Sequence, residues 1–129
     1  MILHQVIESD RHYHCLVIGS ERTLLLLYSF DEGHYTQTAR SLSDSMADQM
    51  TEMACRLSRV YGYDINMSEF VLKDDELYLI NATNPSPLIS RDLMTEPQYD
   101  WICNQIADLA ARRAESPPIM KFPVRLTAG

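Results

Sequence analysis

Hydrophobic and polar positions along the chain change their period several times, and these changes predict its secondary structure. Short runs of β-branched, aromatic and leucine residues between turn residues are typical of strands. Three such runs predict a meander of strands over residues 2–8, 12–19 and 22–30, and the polar segment 31–42 predicts a loop. The third run contains four consecutive leucines from Leu24, and a continuous apolar run is typical of a strand covered on both faces.

The apolar period becomes helical in two later segments. In the first, residues 43–61, apolar residues recur at spacings of four, three, four and three: Met46, Met50, Met53, Leu57 and Val60. Such a stripe is typical of a helix that packs on a sheet, and its methionine content is also typical of an adaptable binding surface. Gly62 provides the stop signal. The second helix begins after Thr95, where Gln98 completes a capping box, and ends near Ala114.

A hairpin lies between the two predicted helices. Its strands are residues 65–73 and 77–83, around a three-residue turn at 74–76. The element order βββαββα predicts an α+β fold, with a mainly antiparallel five-stranded sheet and both helices packed on one face. We expect one domain over residues 1–115, followed by a proline-containing tail over residues 116–129.

Composition and charge narrow the class of protein. The chain has 129 residues, of which 46% are hydrophobic, enough for a folded core. Its net charge of −7 argues against nucleic-acid binding and against anionic membrane surfaces, because both require basic surfaces. The sequence has no apolar run long enough for a membrane span, and its N-terminal stretch lacks a secretory signal pattern. Three cysteines without a C-x-x-C pair are typical of reduced thiols, so we expect a cytoplasmic protein.

One acidic residue, Glu69, interrupts the apolar face of the predicted hairpin. Alternation places it among apolar side chains, and the three-residue turn pairs it with Asn81 and pairs Val71 with Leu79. A carboxylate on an apolar face costs several kcal/mol unless it is paired. One interpretation is a hard cation such as Mg²⁺, held by oxygens of Glu69, Asn81 and Asn84. The alternative is a carboxylate that reaches water near a sheet edge or pairs with an arginine.

Two stretches of the chain resemble ATP-grasp enzymes. The string GYDINMSEFVLKDDELYLINATNPSP resembles the C-terminal part of that family, where an acid on one strand and an acid-x-x-Asn-Pro or acid-x-Asn segment on the next hold the Mg²⁺ of Mg-ATP. The string HQVIESDRHYHCLVIG resembles the segment that follows the adenine-binding hinge. The resemblance covers about residues 2–113, and the branch of glutathione synthetase and ribosomal-protein glutamate ligases is the most similar. It implies the fold of an ATP-grasp C-terminal subdomain.

The resemblance implies roles for three residues of the hairpin. Glu69 would be the first metal ligand, and Asn84 would be the asparagine ligand. Asn81 stands where the family usually has Asp or Glu. This departure removes one negative charge from the implied metal site.

The resemblance also implies a nucleotide cleft along the second predicted strand. His14 stands where the ligase branch often has a basic residue that touches phosphate or substrate, which makes it the candidate catalytic residue. His12 on the same strand, with Glu8 and Asp10 before it, would bind the nucleotide, and an acid near these positions bonds the ribose hydroxyls in the family. Without the resemblance, the two histidines form a weak His-x-His metal motif, and the acids are ordinary turn residues.

These roles imply the C-terminal portion of an ATP-dependent carboxylate–amine ligase, which forms a carbon–nitrogen bond while ATP becomes ADP and phosphate. Its cofactors would be ATP and Mg²⁺, and its substrate a small-molecule carboxylate. The family's N-terminal domain and ATP-covering lobe have no counterpart in these 129 residues. We therefore expect an incomplete cleft, with self-association or a partner chain that supplies the missing lobe. The alternatives are a degenerate ATP-grasp-like binding or interaction module without activity, and a small α+β domain without a site.

Overall fold

The computed structural model of the protein describes residues 6–9, 11–36 and 42–117. Within them, the elements in chain order are β1 (His12–Ile18), β2 (Arg22–Ser29), β3 (His34–Thr36), α1 (Asp44–Tyr61), β4 (Ile65–Lys73), β5 (Glu76–Asn81) and α2 (Glu96–Glu115). The strands form one sheet in the order β3-β2-β1-β4-β5, and all neighbours are antiparallel. The predicted α+β class with a five-stranded antiparallel sheet is confirmed.

One strand of the sheet differs from the predicted set. Of the predicted strand over residues 2–8, residues 2–5 lie outside the described part of the chain, and residues 6–8 are not in a strand. The fifth strand is instead β3, inside the segment predicted to be a loop. Only Tyr35 of β3 is buried, so a three-residue strand among polar residues has no apolar alternation that could predict it. Gly33, with φ of 70°, precedes β3 and permits the reversal from β2.

The two helices lie on opposite faces of the sheet, so the expectation that both pack on one face is wrong. One buried cluster joins α1 to the sheet and consists of Tyr13, Cys15, Val17, Met50, Ala54, Phe70 and Leu72. The other involves α2 and the loop before it and consists of Leu16, Ile18, Leu26, Tyr35, Met67, Met94, Ile102 and Leu109. Successive residues of β1 alternate between the two clusters, as strand geometry requires. Because the central strands are apolar on both faces, each face needs a helix to cover it.

Both helices begin where the sequence predicts. Ser43 is the N-cap of α1, and its hydroxyl accepts a hydrogen bond from the backbone N–H of Met46. Gly62 ends α1 in the left-handed conformation, with φ of 70°. At the start of α2, the backbone N–H of Thr95 donates to Gln98 Oε1 over 3.0 Å, as in a capping box. These signals are local, which explains why sequence alone locates them.

The β4–β5 hairpin reaches its predicted pairing by a different route. Its turn has two residues, Asp74 and Asp75, both with positive φ, as the tight turns of hairpins require. Val71 therefore pairs with Tyr78, and the predicted pairing with Leu79 is wrong. A register shift between Glu69 and Phe70 then inserts one extra residue on β5 and restores the predicted pairing of Glu69 with Asn81.

The predicted boundary between domain and tail falls at the end of α2. That helix ends at Glu115, and residues 118–129 of the predicted tail lie outside the described part of the chain.

Candidate functional site

On the sheet face toward α2, the helix covers only part of the surface. Its buried residue Ile102 belongs to the same cluster as Leu16 and Ile18 of β1. Toward the start of β1, the same face carries His14 and then His12, both only half-buried. The less covered end of this face is where the predicted polar residues come together.

Strand register places three of the predicted site residues side by side. His14 of β1 lies opposite Glu69 of β4, and Glu69 lies opposite Asn81 of β5. The Nδ2 group of Asn81 donates a hydrogen bond to Glu69 Oε1 over 3.2 Å. We call these three residues the polar row. Glu69 is half-buried and Asn81 is exposed, so the row opens to solvent at the edge strand β5.

Among the described residues, no arginine pairs with Glu69. Arg56 and Arg59, which precede the hairpin in sequence, lie on α1, and α1 packs on the opposite face of the sheet. Arg59 instead donates to the backbone carbonyl of Ser20. Within residues 6–9, 11–36 and 42–117, no ion pair involves Glu69. Among the described residues, the carboxylate is therefore paired with the neutral amide of Asn81 and with no cationic side chain.

Asn84, the third predicted metal ligand, has a different local environment. Its side-chain Oδ1 accepts the backbone N–H of Ser86 over 3.1 Å, which closes a turn around Pro85. Its backbone joins the sheet, because its carbonyl accepts the N–H of Met67 over 3.0 Å. Of the three predicted ligands, the described structure brings Glu69 and Asn81 into hydrogen-bond contact, while Asn84 stabilises the turn after β5.

The oxygen atoms of Glu69 and Asn81 suit a magnesium ion only when oxygens of water or of a ligand complete its coordination. Among the described residues, no group of three or more His, Cys, Asp or Glu side chains could hold a metal ion. The polar row offers one carboxylate and one amide oxygen. Mg²⁺ is commonly held by one or two carboxylates together with water and substrate phosphates. Glu69 and Asn81 therefore suit a Mg²⁺ that arrives with a nucleotide, not one held by protein ligands alone.

His14 is a hydrogen-bonding group and not a cation at neutral pH. Burial lowers its pKa below 6.5, Glu69 opposes that shift, and His12 adds to it. Its Nδ1 shares a hydrogen bond of 2.7 Å with the hydroxyl of Tyr35. Burial and the charge of Glu69 raise the pKa of Tyr35 to about 12, so that hydroxyl keeps its proton. The remaining ring nitrogen, Nε2, is the atom of His14 that can meet a ligand.

The lowered pKa of His14 predicts a pH-dependent stability. Its unfolded-state pKa lies near 6.5, above the folded-state value, so the unfolded chain binds the proton first as the pH falls. The free energy of unfolding should therefore decrease from about pH 7.5 downward and level off below the folded-state pKa. In His14→Gln this decrease should be smaller, as measured by urea unfolding at several pH values. The exposed His34→Gln is the control, and an equal decrease in His14→Gln and in the wild type would contradict the assignment.

The sequence did not point to the aromatic residues that surround the two histidines. Tyr28 stacks on the His14 ring with centroids 5.7 Å apart, and Tyr35 lies edge-on to both rings. Phe30 lies edge-on to His12 at 4.6 Å and is 66% exposed. Tyr28 and Phe30 alternate on β2 and at its end, which is the only sequence signal for their shared face. This packing fixes the orientation of the His14 ring.

The predicted nucleotide-binding residues outside the polar row are dispersed. The Nε2 atom of His12 lies 2.9 Å from the backbone carbonyl of Ser9, so that nitrogen is engaged in holding the segment before β1. Glu8 is exposed in that segment. Asp10 lies outside the described residues. A role of His12, Glu8 or Asp10 in nucleotide binding stays a prediction.

A buried polar network on the opposite face holds the end of β5 in place. Asn66 is fully buried, and its Oδ1 accepts the backbone N–H of Asn84 over 2.9 Å. Its Nδ2 donates to Ser68 Oγ over 3.3 Å, and Ser68 Oγ donates to the carbonyl of Ala82 over 2.8 Å. Sequence periodicity does not indicate this network, because Asn66 and Asn84 become neighbours only through the hairpin register.

Comparison with protein-family models, with curated proteins and with solved structures found no match. In the described part of the chain, neither helix is long and apolar enough to cross a membrane.

Proposed function

We propose that the chain is the ATP- and Mg²⁺-binding C-terminal portion of an ATP-dependent carboxylate–amine ligase, and that the polar row lies on one wall of its cleft. The observation that supports this proposal is the row itself. His14, Glu69 and Asn81 come from three different strands and meet at the open end of one sheet face. They are residues that the ATP-grasp resemblance independently assigns to phosphate and metal contacts.

Each residue of the row would have a distinct task. Glu69 supplies the negative charge that attracts the cation, and Asn81 holds one oxygen of that carboxylate, leaving the other for the metal. Glu69 and Asn81 would help to hold Mg²⁺, which when bound would supply the positive charge that phosphoryl transfer requires. His14, held by Tyr35, would donate a hydrogen bond from Nε2 to a phosphate or substrate oxygen. In the proposed enzyme, the other lobe and the carboxylate substrate complete the site.

Titration of Glu69→Gln tests this proposal. In the wild type, a non-hydrolysable ATP analogue should bind in a Mg²⁺-dependent manner, and Glu69→Gln should weaken that binding by about tenfold or more, because the only carboxylate of the row loses its charge. Calorimetry measures both affinities. Glu76→Gln is the matched control, because Glu76 lies on the same hairpin, is exposed and accepts a hydrogen bond from Tyr78 of its own strand.

A second readout does not depend on strong binding. With the ATP analogue present, Mn²⁺ in place of Mg²⁺ should broaden the NMR signals of the Asn81 side-chain amide and the His14 ring, because a paramagnetic ion would lie beside both. Unbroadened signals at a saturating concentration of the metal–nucleotide complex, together with equal affinity in Glu69→Gln, would contradict the proposal.

A non-catalytic binding module is the second candidate, and Asn81 favours it. Its neutral amide gives the row one negative charge where the family usually has two. Asn81→Asp tests whether the row binds a metal at all, as either candidate with a nucleotide site requires. If the row is a metal site, the second carboxylate should strengthen Mg²⁺ binding by about tenfold, since affinity follows the ligand charge count. If the pair is only structural, two carboxylates about 3 Å apart should instead lower the stability without any gain in cation binding.

A further inference from the structure

The apolar stripe of α1 is only half covered by the sheet. Met50 is fully buried, whereas Met53 is 39% exposed and Val60 is 79% exposed. With the half-buried Leu57, the two exposed residues form a second row along the helix, which we call the outer stripe. A groove of about 340 Å³ follows it and is lined by Gln49, Glu52, Met53, Arg56, Leu57 and Val60. A continuous exposed apolar row on a helix is typical of an interaction surface.

Charges along α1 are separated by sign. The exposed acids all lie in the N-terminal half, and these are Asp44, Asp48 and Glu52. The exposed bases lie in the C-terminal half, and these are Arg56 and Arg59. In the part of the chain that the structure describes, none of these five residues forms an ion pair. Of the five, Glu52 and Arg56 line the groove, so their charges face a molecule that binds there.

This pattern is self-complementary for a second α1 that runs in the opposite direction. An antiparallel partner places its basic half beside the acidic half of the first helix, and the reverse holds for the other halves. A parallel partner would place like charges together. The sign changes between Glu52 and Arg56, and the groove spans Gln49 to Val60, so both features are centred near residue 54. One two-fold axis at that position satisfies the apolar contact and the charge pairing together.

We propose that α1 binds α1 of a second copy of this chain, antiparallel, around a two-fold axis near residue 54. Met53, Leu57 and Val60 form the apolar centre of the contact. Glu52 faces the partner subunit's Arg56, and the same pair forms again across the axis. Long flexible methionine side chains adapt to such a helix–helix contact. The proposal is independent of nucleotide binding, because the polar row lies on the other face of the sheet.

Sedimentation velocity of the full chain from about 1 to about 500 µM tests the proposal, since this range brackets the affinity expected of a small interface. The wild type should pass from monomer to dimer, and Val60→Lys should stay monomeric. Leu88→Lys is the matched control, because Leu88 is 71% exposed and lies outside α1. A wild type that stays monomeric throughout, or a Val60→Lys variant that dimerises as the wild type does, overturns the proposal.

Charge reversal tests the antiparallel arrangement itself. Glu52→Arg and Arg56→Glu should each weaken self-association by about tenfold or more, because each creates two like-charge contacts across the axis. An equimolar mixture of the two variants restores opposite charges at both contacts and should dimerise with nearly wild-type affinity. A mixture that associates no better than either variant alone overturns the arrangement. Circular dichroism of each variant confirms that it is folded.

Discussion

Phe70→Ala should lower the free energy of unfolding by about 3–5 kcal/mol, which is a large part of the stability of a domain of this size. Phe70 lies on β4, is fully buried and belongs to the cluster that joins α1 to the sheet. Its neighbours there include Tyr13, Met50 and Leu72. Removal of the ring leaves a cavity between a helix and a central strand, where the backbone can relax only in part.

Urea unfolding followed by circular dichroism measures this loss, and Phe30→Ala is the control. Phe30 is 66% exposed and contacts other rings only edge-on, so its removal should cost less than about 1 kcal/mol. Similar losses in the two variants would show that α1 does not pack on β4 as described.

Asn66→Ala should lower the free energy of unfolding by about 2–4 kcal/mol. The truncation leaves the backbone N–H of Asn84 without its acceptor and removes a donor to Ser68 and to the carbonyl of Ala82. A buried polar group without a partner destabilises the fold by its full desolvation free energy, which exceeds the net free energy of a typical hydrogen bond. The end of β5, which carries Asn81, should loosen as a result.

Two measurements separate a local effect from a global one. Urea unfolding measures the loss of stability. Asn104→Ala is the control, because Asn104 is exposed on α2 and its truncation should change the free energy of unfolding by less than about 0.5 kcal/mol. In amide hydrogen exchange, the Asn66→Ala substitution should increase the exchange rate of the Asn84 amide more than the exchange rates of amides in the strands. Unchanged protection at Asn84 would mean that Asn66 does not hold the end of β5.

Local sequence signals predict both ends of α1 and the start of α2. The contacts that the sequence does not predict depend on how the strands pair. The caps at Ser43, Gly62 and Thr95 depend on residues within a few positions of one another. Tyr35 and His14 are 21 residues apart, and Asn66 and Asn84 are 18 apart. Such contacts follow from the pairing of strands, which periodicity alone does not fix. β3 was missed for the related reason that three residues are too few to show alternation.

The sequence predicts the pairing of Glu69 with Asn81 correctly, although the predicted turn of the hairpin is one residue too long. A three-residue turn without a bulge and a two-residue turn with a bulge place the same two residues opposite each other. The prediction that both helices lie on one face is wrong for another reason. The leucine run from Leu24 already indicated coverage on both faces, and that indication is incompatible with two helices on one face. The assignment of the polar row to ATP and Mg²⁺ stays a prediction.

Because α1 and α2 lie on opposite faces, the sheet separates the polar row from the outer stripe of α1. A nucleotide, a substrate or a completing lobe would reach the polar row from the side of α2 or across the edge strand β5, because α1 covers the other face of the sheet. A pair of chains joined through α1 would therefore keep both rows open and directed away from each other. Such a pair would present two copies of the proposed site, and it would bind a surface that displays many copies of the ligand more tightly than either chain binds alone.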